Sequence, residues 1–174
     1  SSDKVEMDKF PEDIVNIYNY NGKQYAVPKD IDTIALWYNK KMFDEAGLKY
    51  PDESWTWDDF KNACAKLTKS DGSQYGYALK PSNNQDAWYN MVYSMGGEII
   101  SEDKKSSGFD KEGTIKAIDF VTSIIKAGYT PSYEVMNENA PEVLFESGKV
   151  AMITQGSWML AELCNNDYVK ANAD

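Results

Sequence analysis

Apolar residues recur along this chain with two periods. Phe60, Cys64 and Leu67 fall at i, i+4 and i+7, the spacing of one helical face. Thr56, just ahead of them, is a good N-cap, and Asp58 and Asp59 stand in the first turn, where the helix dipole favours acids. Ile115, Ile118, Val121, Ile124 and Ile125 mark the clearest helix, which Asp110 is predicted to cap and Gly128 to stop. Shorter helices are predicted after Pro11, over 40–46 up to Gly47, and from about Asp86 to Met95 before Gly96-Gly97. Another is predicted after Asn139, read as its cap, with Pro141 in the first turn. A last helix opens at Gly156-Ser157-Trp158 and carries Met159, Leu160 and Leu163. Compact apolar runs at 34–38, 75–79 and 150–153 read as strands. A further strand over 23–28 follows the hairpin dipeptide Asn21-Gly22. Strands alternating with helices predict an α/β layered domain, with no internal repeat and no low-complexity linker.

Composition narrows the chemistry. The 174 residues suffice for a well-buried core, and 42% hydrophobic with 26% charged residues is ordinary for a globular chain. No apolar run approaches the ~20 residues of a membrane helix. Net charge is −10, from 18 basic and 28 acidic residues, and no basic stripe exists to neutralise phosphates, which argues against nucleic-acid binding. Histidine is absent. That removes the usual general base, the Ser–His and Cys–His nucleophile systems and the commonest transition-metal ligand. Asp30 and Asp32 are too few for a metal site, Ser70-Asp71-Gly72 lacks the alternating acids of a calcium loop, and no cofactor is implied. Cys64 and Cys164 each sit in an apolar helical stripe, where a buried free thiol is expected; a disulfide between them is the alternative. Aromatic residues reach 13%, with 12 Tyr and 5 Trp. Cores consume most aromatics, but Trp and Tyr also line sites for flat, half-apolar ligands such as sugar rings.

Three stretches carry a resemblance. The first is Gly22-Lys23-Gln24-Tyr25-Ala26-Val27-Pro28, followed by Asp32-Thr33, by Ala35-Leu36-Trp37-Tyr38-Asn39-Lys40, and by Phe43 and Glu45-Ala46-Gly47-Leu48. The second is Trp55-Thr56-Trp57-Asp58-Asp59-Phe60, and the third Phe145-Glu146-Ser147-Gly148-Lys149-Val150-Ala151-Met152 with Gly156-Ser157-Trp158. In this order, with Gly96-Gly97 between, they resemble the extracellular solute-binding proteins of carbohydrate ABC importers, the family that includes maltose-binding protein. The likeness covers about residue 20 to residue 165. It implies an α/β fold that is one lobe of a two-lobed periplasmic-binding-protein-like architecture, with helix-rich layers around a small mixed sheet. Residues 1–31 would belong to the other lobe and the hinge crossing, and residues 32–174 to the C-terminal, ligand-binding lobe. It further implies a carbohydrate ligand, an ABC transporter permease as partner, a lipid anchor on an N-terminus outside this sequence, and a place outside the cell or in the periplasm.

The resemblance also points to ligand-binding residues. Trp158 follows the turn where the family sets an aromatic against a sugar face; the other reading is a ring covering the start of the last helix. Asp32 aligns with an acid that contacts sugar hydroxyls, although a turn-capping aspartate would look the same. Asp86 and Trp88, with Gln85 beside them, stand where the family supplies a polar–aromatic pair, while an N-cap and a packed helix residue are the simpler readings. Asn137 and Asn139 are candidates for the rim. Trp37, Tyr38, Trp57 and Phe145 read as core. The expectation is a non-catalytic import receptor. The alternative is a fragment of a glycoside hydrolase using paired carboxylates, though no acidic pair has a spacing that singles it out.

Overall fold

The computed structural model describes residues 5–173, and the chain divides between Thr33 and Ile34 into two compact units. In the first unit a short turn at Met7–Lys9 leads to helix α1 (Glu12–Ile17), with Glu12 and Asp13 at its positive end. Strands β1 (Asn19–Tyr20) and β2 (Lys23–Gln24) then form an antiparallel hairpin. Its turn residues Asn21 and Gly22 have φ of 49° and 75°, the pair of left-handed conformations a two-residue hairpin needs. The strand expected over 23–28 ends at Gln24. The Gln24 amide donates to the carbonyls of Val15 and Ala26, at 3.0 and 2.8 Å, and the Tyr25 N–H donates to the Tyr18 carbonyl at 2.9 Å. Ile17, Tyr20 and Tyr25 are each 69% exposed, so the described part of this unit builds no core of its own.

The second unit starts with β3 (Ile34–Tyr38) and α2 (Lys40–Glu45), followed by α3 (Trp57–Leu67) and β4 (Tyr75–Ala78). Next come α4 (Asn84–Ala87), α5 (Tyr89–Ser94) and α6 (Glu112–Lys126), then α7 (Tyr133–Glu138), α8 (Pro141–Glu146) and β5 (Val150–Gly156). A tight turn at Ser157–Met159 leads to α9 (Leu160–Leu163) and α10 (Asp167–Asn172). The sheet order is β3-β5-β4, with β3 antiparallel and β4 parallel to β5. All seven residues of β5 are buried, as the central strand of a covered sheet requires. On one face Tyr77 and Met152 pack with Phe60, Cys64 and Leu67 of α3, Met91 and Val92 of α5, and Ile124 of α6. On the other, Ala78 and Ile153 meet Leu144 and Phe145 of α8, Leu163 of α9 and Val169 of α10, and Val150 at the start of β5 joins this cluster. Helices thus cover both faces of a small mixed sheet, the expected α/β layering. Phe145 is fully buried, while Trp37, Tyr38 and Trp57 are partly buried against these clusters.

Local chemistry explains several boundaries. Thr56 caps α3 in a full capping box: its hydroxyl accepts from the Asp59 N–H, and the Asp59 carboxylate accepts from the Thr56 N–H at 2.9 Å. Asp110 does not cap α6; the N-cap is Lys111, with no side-chain bond. A tertiary contact holds this end instead. The backbones of Gly97 and Gly113 lie so close that a Cβ on Gly113 would fall 2.4 Å from the Gly97 nitrogen, and the Thr114 hydroxyl bridges to both backbone groups of Glu98. Ile115 leaves the apolar stripe and is 47% exposed, and Thr114 and Ala117 take its place in the buried face. The helix expected from Asp86 to Met95 is two helices, broken at Trp88, whose ψ of −11° accompanies an extended φ of −140°. Asn139 ends α7 by bonding back to the Val135 carbonyl, and Ala140 caps α8. Both cysteines are free: Cys64 is buried, and Cys164 is exposed rather than part of an apolar stripe. Among the described residues no helix is long and apolar enough to cross a membrane.

Candidate functional site

In the second unit, polar and aromatic groups gather at the C-terminal end of β5. Thr154, near that end, holds α4 against the strand: its hydroxyl donates to the Asp86 carbonyl at 2.6 Å. Its single proton is thereby used, so the Tyr77 hydroxyl donates to Thr154 Oγ1, also at 2.6 Å. This buried chain fixes the backbone of Asp86 and delivers its side chain to the strand end. Asp86 is 8% exposed, and its Oδ1 has no hydrogen-bond partner among the described residues. Burial raises its pKa above the usual carboxylate value, and the nearby charge of Glu142 adds to the rise, against one backbone hydrogen bond that lowers it.

Gln155, the next residue of β5, is buried and bonded at both ends of its amide. Nε2 donates to Glu142 Oε2 at 3.0 Å, and Oε1 accepts from the Gly156 N–H at 2.8 Å. One turn along α8, Glu146 also has a raised pKa, through burial first and then through Glu162 and Glu142. The strand end therefore presents hydrogen-bond acceptors in excess of donors. Next to it, Trp158 is 43% exposed. A Cβ on Gly156 would fall 2.2–2.3 Å from three carbons of the six-membered ring, so the indole rests directly on glycine backbone. Trp88 is half-buried and meets Tyr89 edge to face, with centroids 4.7 Å apart. Beyond Thr154 lies a cavity of about 340 Å³, walled in part by Leu36, Trp55, Trp57, Phe60 and Asn90.

Of the five candidate residues, the structure ties Asp86 and Trp158 to one strand end, with Trp88 on the same α4–α5 segment as Asp86. Gln85 is exposed on α4, its backbone N–H donating to Asn83 Oδ1 at 3.3 Å. Asp32 belongs to the first unit, where it is exposed. There Lys29 has a raised pKa, chiefly through its hydrogen bond and ion pair with Asp30, with Asp32 as a lesser contributor. Asn137 is exposed, and Asn139 is occupied with its own helix end. Gln155 and Glu142 were not singled out in the sequence. The one available signal was a glutamine continuing the apolar run of β5. Among the described residues no group of three or more metal-ligating side chains exists.

Over residues 2–172 the sequence matches the family described as bacterial extracellular solute-binding protein. A binding protein of Brucella abortus is 32% identical over 136 residues, which cover 76% of this chain and 32% of that protein. The arabinooligosaccharide-binding protein of Halalkalibacterium halodurans is 25% identical over 171 residues, 95% of this chain and 37% of that one. Among solved structures, an ABC substrate-binding protein of Listeria monocytogenes in complex with cycloalternan aligns with a TM-score of 0.84 at 26% identity. That alignment covers 94% of this chain and 42% of the Listeria chain. The chain thus spans well under half the length of these proteins.

Proposed function

The chain belongs to the bacterial extracellular solute-binding protein family, with a periplasmic-binding-protein-like α/β fold, and from that premise we propose that it forms a ligand-binding wall of a receptor that captures a sugar or oligosaccharide and passes it unaltered to the permease of an ABC importer. The observation that carries the proposal is the buried Asp86 carboxylate with an unpartnered Oδ1, on a segment that Thr154 holds against the C-terminal end of β5, where the partly exposed Trp158 rests on Gly156. A buried acceptor without a donor is costly, and a turn of the carboxylate that brings it to a ligand hydroxyl removes that cost. The indole supplies the apolar surface that the C–H face of a sugar ring needs. Glu142 and Gln85 add further hydrogen-bonding groups. The arabinooligosaccharide of the Halalkalibacterium relative and the cycloalternan of the Listeria structure support a carbohydrate ligand.

In this reading residues 32–174 are the C-terminal lobe, and residues 1–31 belong to the other lobe and the crossing. The absence of a core among the described residues of the first unit supports that division. The receptor works outside the cytoplasmic membrane, in the periplasm or held at the surface by a lipid. Calorimetric titration of the receptor with a panel of oligosaccharides, with the sugar recovered afterwards, tests the proposal. Saturable binding with the ligand returned intact is expected. Release of reducing ends would overturn it in favour of a hydrolase, for which Asp86 and Glu142 would be the acid–base pair.

A further inference from the structure

Four acids repel one another in sequence, from Asp86 through α8 to α9. Asp86 is 8% exposed with an unpartnered Oδ1, and Glu142 lies near enough for its charge to act on it. Glu146 stands one helical turn beyond Glu142 on the same side of α8, a spacing of roughly 5–6 Å between Cβ atoms. The charges that act on Glu146 are those of Glu162 in α9 and of Glu142. No cation joins the series: among the described residues none of the ion pairs includes one of these acids, and the Lys80 ammonium is held by the Asn137 carbonyl at 2.9 Å. Glu142 has a local reason for its place, in the first turn of α8 and bonded to Gln155. Glu146 has none. It is the last residue of α8, the end where the helix dipole disfavours an acid, and it is half-buried beside two like charges.

We propose that Glu146 and Glu162, standing behind Asp86 and Glu142, act as a charge filter, so that the receptor takes neutral saccharides and rejects saccharides that carry a carboxylate or a phosphate; this rests on the sugar-binding reading above. The two outer acids need not touch the ligand. Their charges act through space, and one helical turn lies within the screening length of about 8 Å at physiological salt. Partial burial of Glu142 and Glu146 weakens that screening further. A hydroxyl that approaches Asp86 donates into this field and gains from it. An anionic group on the same ligand meets carboxylates on α4, α8 and α9, with no cation among them to receive it. Placing like charge against a wrong partner is a general route to specificity, since it penalises the competitor without adding a contact to the ligand. The repulsion stored among the four acids is the stability cost of that filter.

The test is calorimetric titration of the intact receptor near about pH 8, where the acids are ionised, with matched probes: galactotriose, trigalacturonate and the methyl ester of trigalacturonate, and the same three forms of maltotriose oxidised at C6. The ester separates the charge from the loss of the C6 hydroxyl. The uronate should bind roughly tenfold or more weakly than its ester. Raising NaCl from about 50 mM to about 500 mM should narrow that gap in the wild type. The double variant Glu146→Gln, Glu162→Gln should narrow it roughly threefold or more at low salt, with affinity for the neutral sugar unchanged and a melting temperature no lower than the wild type's. Equal affinity for uronate and ester in the wild type overturns the filter and leaves the sugar-binding reading standing. So does a gap that the double variant leaves intact, or a double variant that loses neutral sugar as well, which would make the two acids ligand contacts. A lowered melting temperature would assign them to the fold instead and also overturns the filter. Failure of every sugar to bind sinks both readings.

Discussion

Replacing Asp86 by asparagine should make the protein more stable and a poorer receptor. Asp86 is 8% exposed, its Oδ1 lacks a partner, and Glu142 repels it. Leaving a buried polar group unsatisfied costs about 1–3 kcal/mol. Asparagine keeps the shape, removes the repulsion and can donate toward Glu142. Allowing for relaxation around the carboxylate, the gain at neutral pH should be about 1–2 kcal/mol, a rise in Tm of roughly 3–6 °C for a unit of this size. Its pH dependence has a definite sign. The pKa of Asp86 is raised in the folded state, so below the unfolded-state pKa the carboxyl is neutral in both states and the penalty of burying its charge is gone. As pH rises through the folded-state pKa the buried group is forced to ionise and stability is lost. The advantage of Asp86→Asn should therefore be full near about pH 8 and smallest near about pH 3. Thermal unfolding of the ligand-free protein at both pH values reads this directly, and calorimetry should show sugar affinity reduced by about 1.5–3 kcal/mol, the scale of a bond to a charged group. An asparagine variant that melts below the wild type near neutral pH, or whose gain is the same at both pH values, would refute the reasoning, since the carboxylate would then not be the source of strain.

Other substitutions probe the remaining contacts. Trp158→Ala should cost roughly 2–4 kcal/mol of sugar affinity, the scale of an aromatic hot spot, with little change in Tm because the ring is 43% exposed; unchanged affinity or a collapsed fold in circular dichroism would count against it. Asp32→Ala should weaken binding in the receptor by about 1.5–3 kcal/mol with stability nearly unchanged, whereas a large stability loss with normal binding would mark Asp32 as a turn residue. Thr154→Val strips the partner from the buried Tyr77 hydroxyl and the Asp86 carbonyl, and should lower stability by about 1–3 kcal/mol in a urea titration; an unchanged midpoint would show that the chain through Thr154 is not needed.

Local rules were legible wherever the physics is local. Asn21-Gly22 needs two left-handed residues and has them, and Thr56 caps α3 because its partner Asp59 is three residues away. The three runs read as strands in the second unit are strands because burial between two helical layers selects apolar, β-branched and aromatic side chains. Local reading failed wherever a distant group decides the outcome. Asp110 is a sound cap by type, yet the start of α6 is set by Gly113 seated on the Gly97 backbone and by Thr114 reaching Glu98. An apolar stripe places Ile115 inside, but the packing of α5 on α6 turns it outward. The helix through Trp88 looked continuous because nothing in its sequence announces a break.

The site divides along the same line. Its aromatic candidates are named by the resemblance, which sets an aromatic after the Gly156 turn, and the structure leaves Trp158 43% exposed there. Its polar members depend on pairings across the fold: Thr154 bonds to a carbonyl 68 residues away and to a phenol 77 residues away. Glu142 in the first turn of α8 would be explained by the helix dipole alone, and Gln155 by the end of a strand, until the hydrogen bond between them is seen. That bond matters for the chemistry. It commits one Glu142 oxygen and one N–H of the Gln155 amide to each other, while the amide oxygen accepts from the backbone, and among the described residues Asp86 Oδ1 is left as a buried acceptor with an unmet need at the end of β5. A ligand that donates without bringing charge satisfies that need at the least desolvation cost, and a sugar hydroxyl beside an open indole face fits that description.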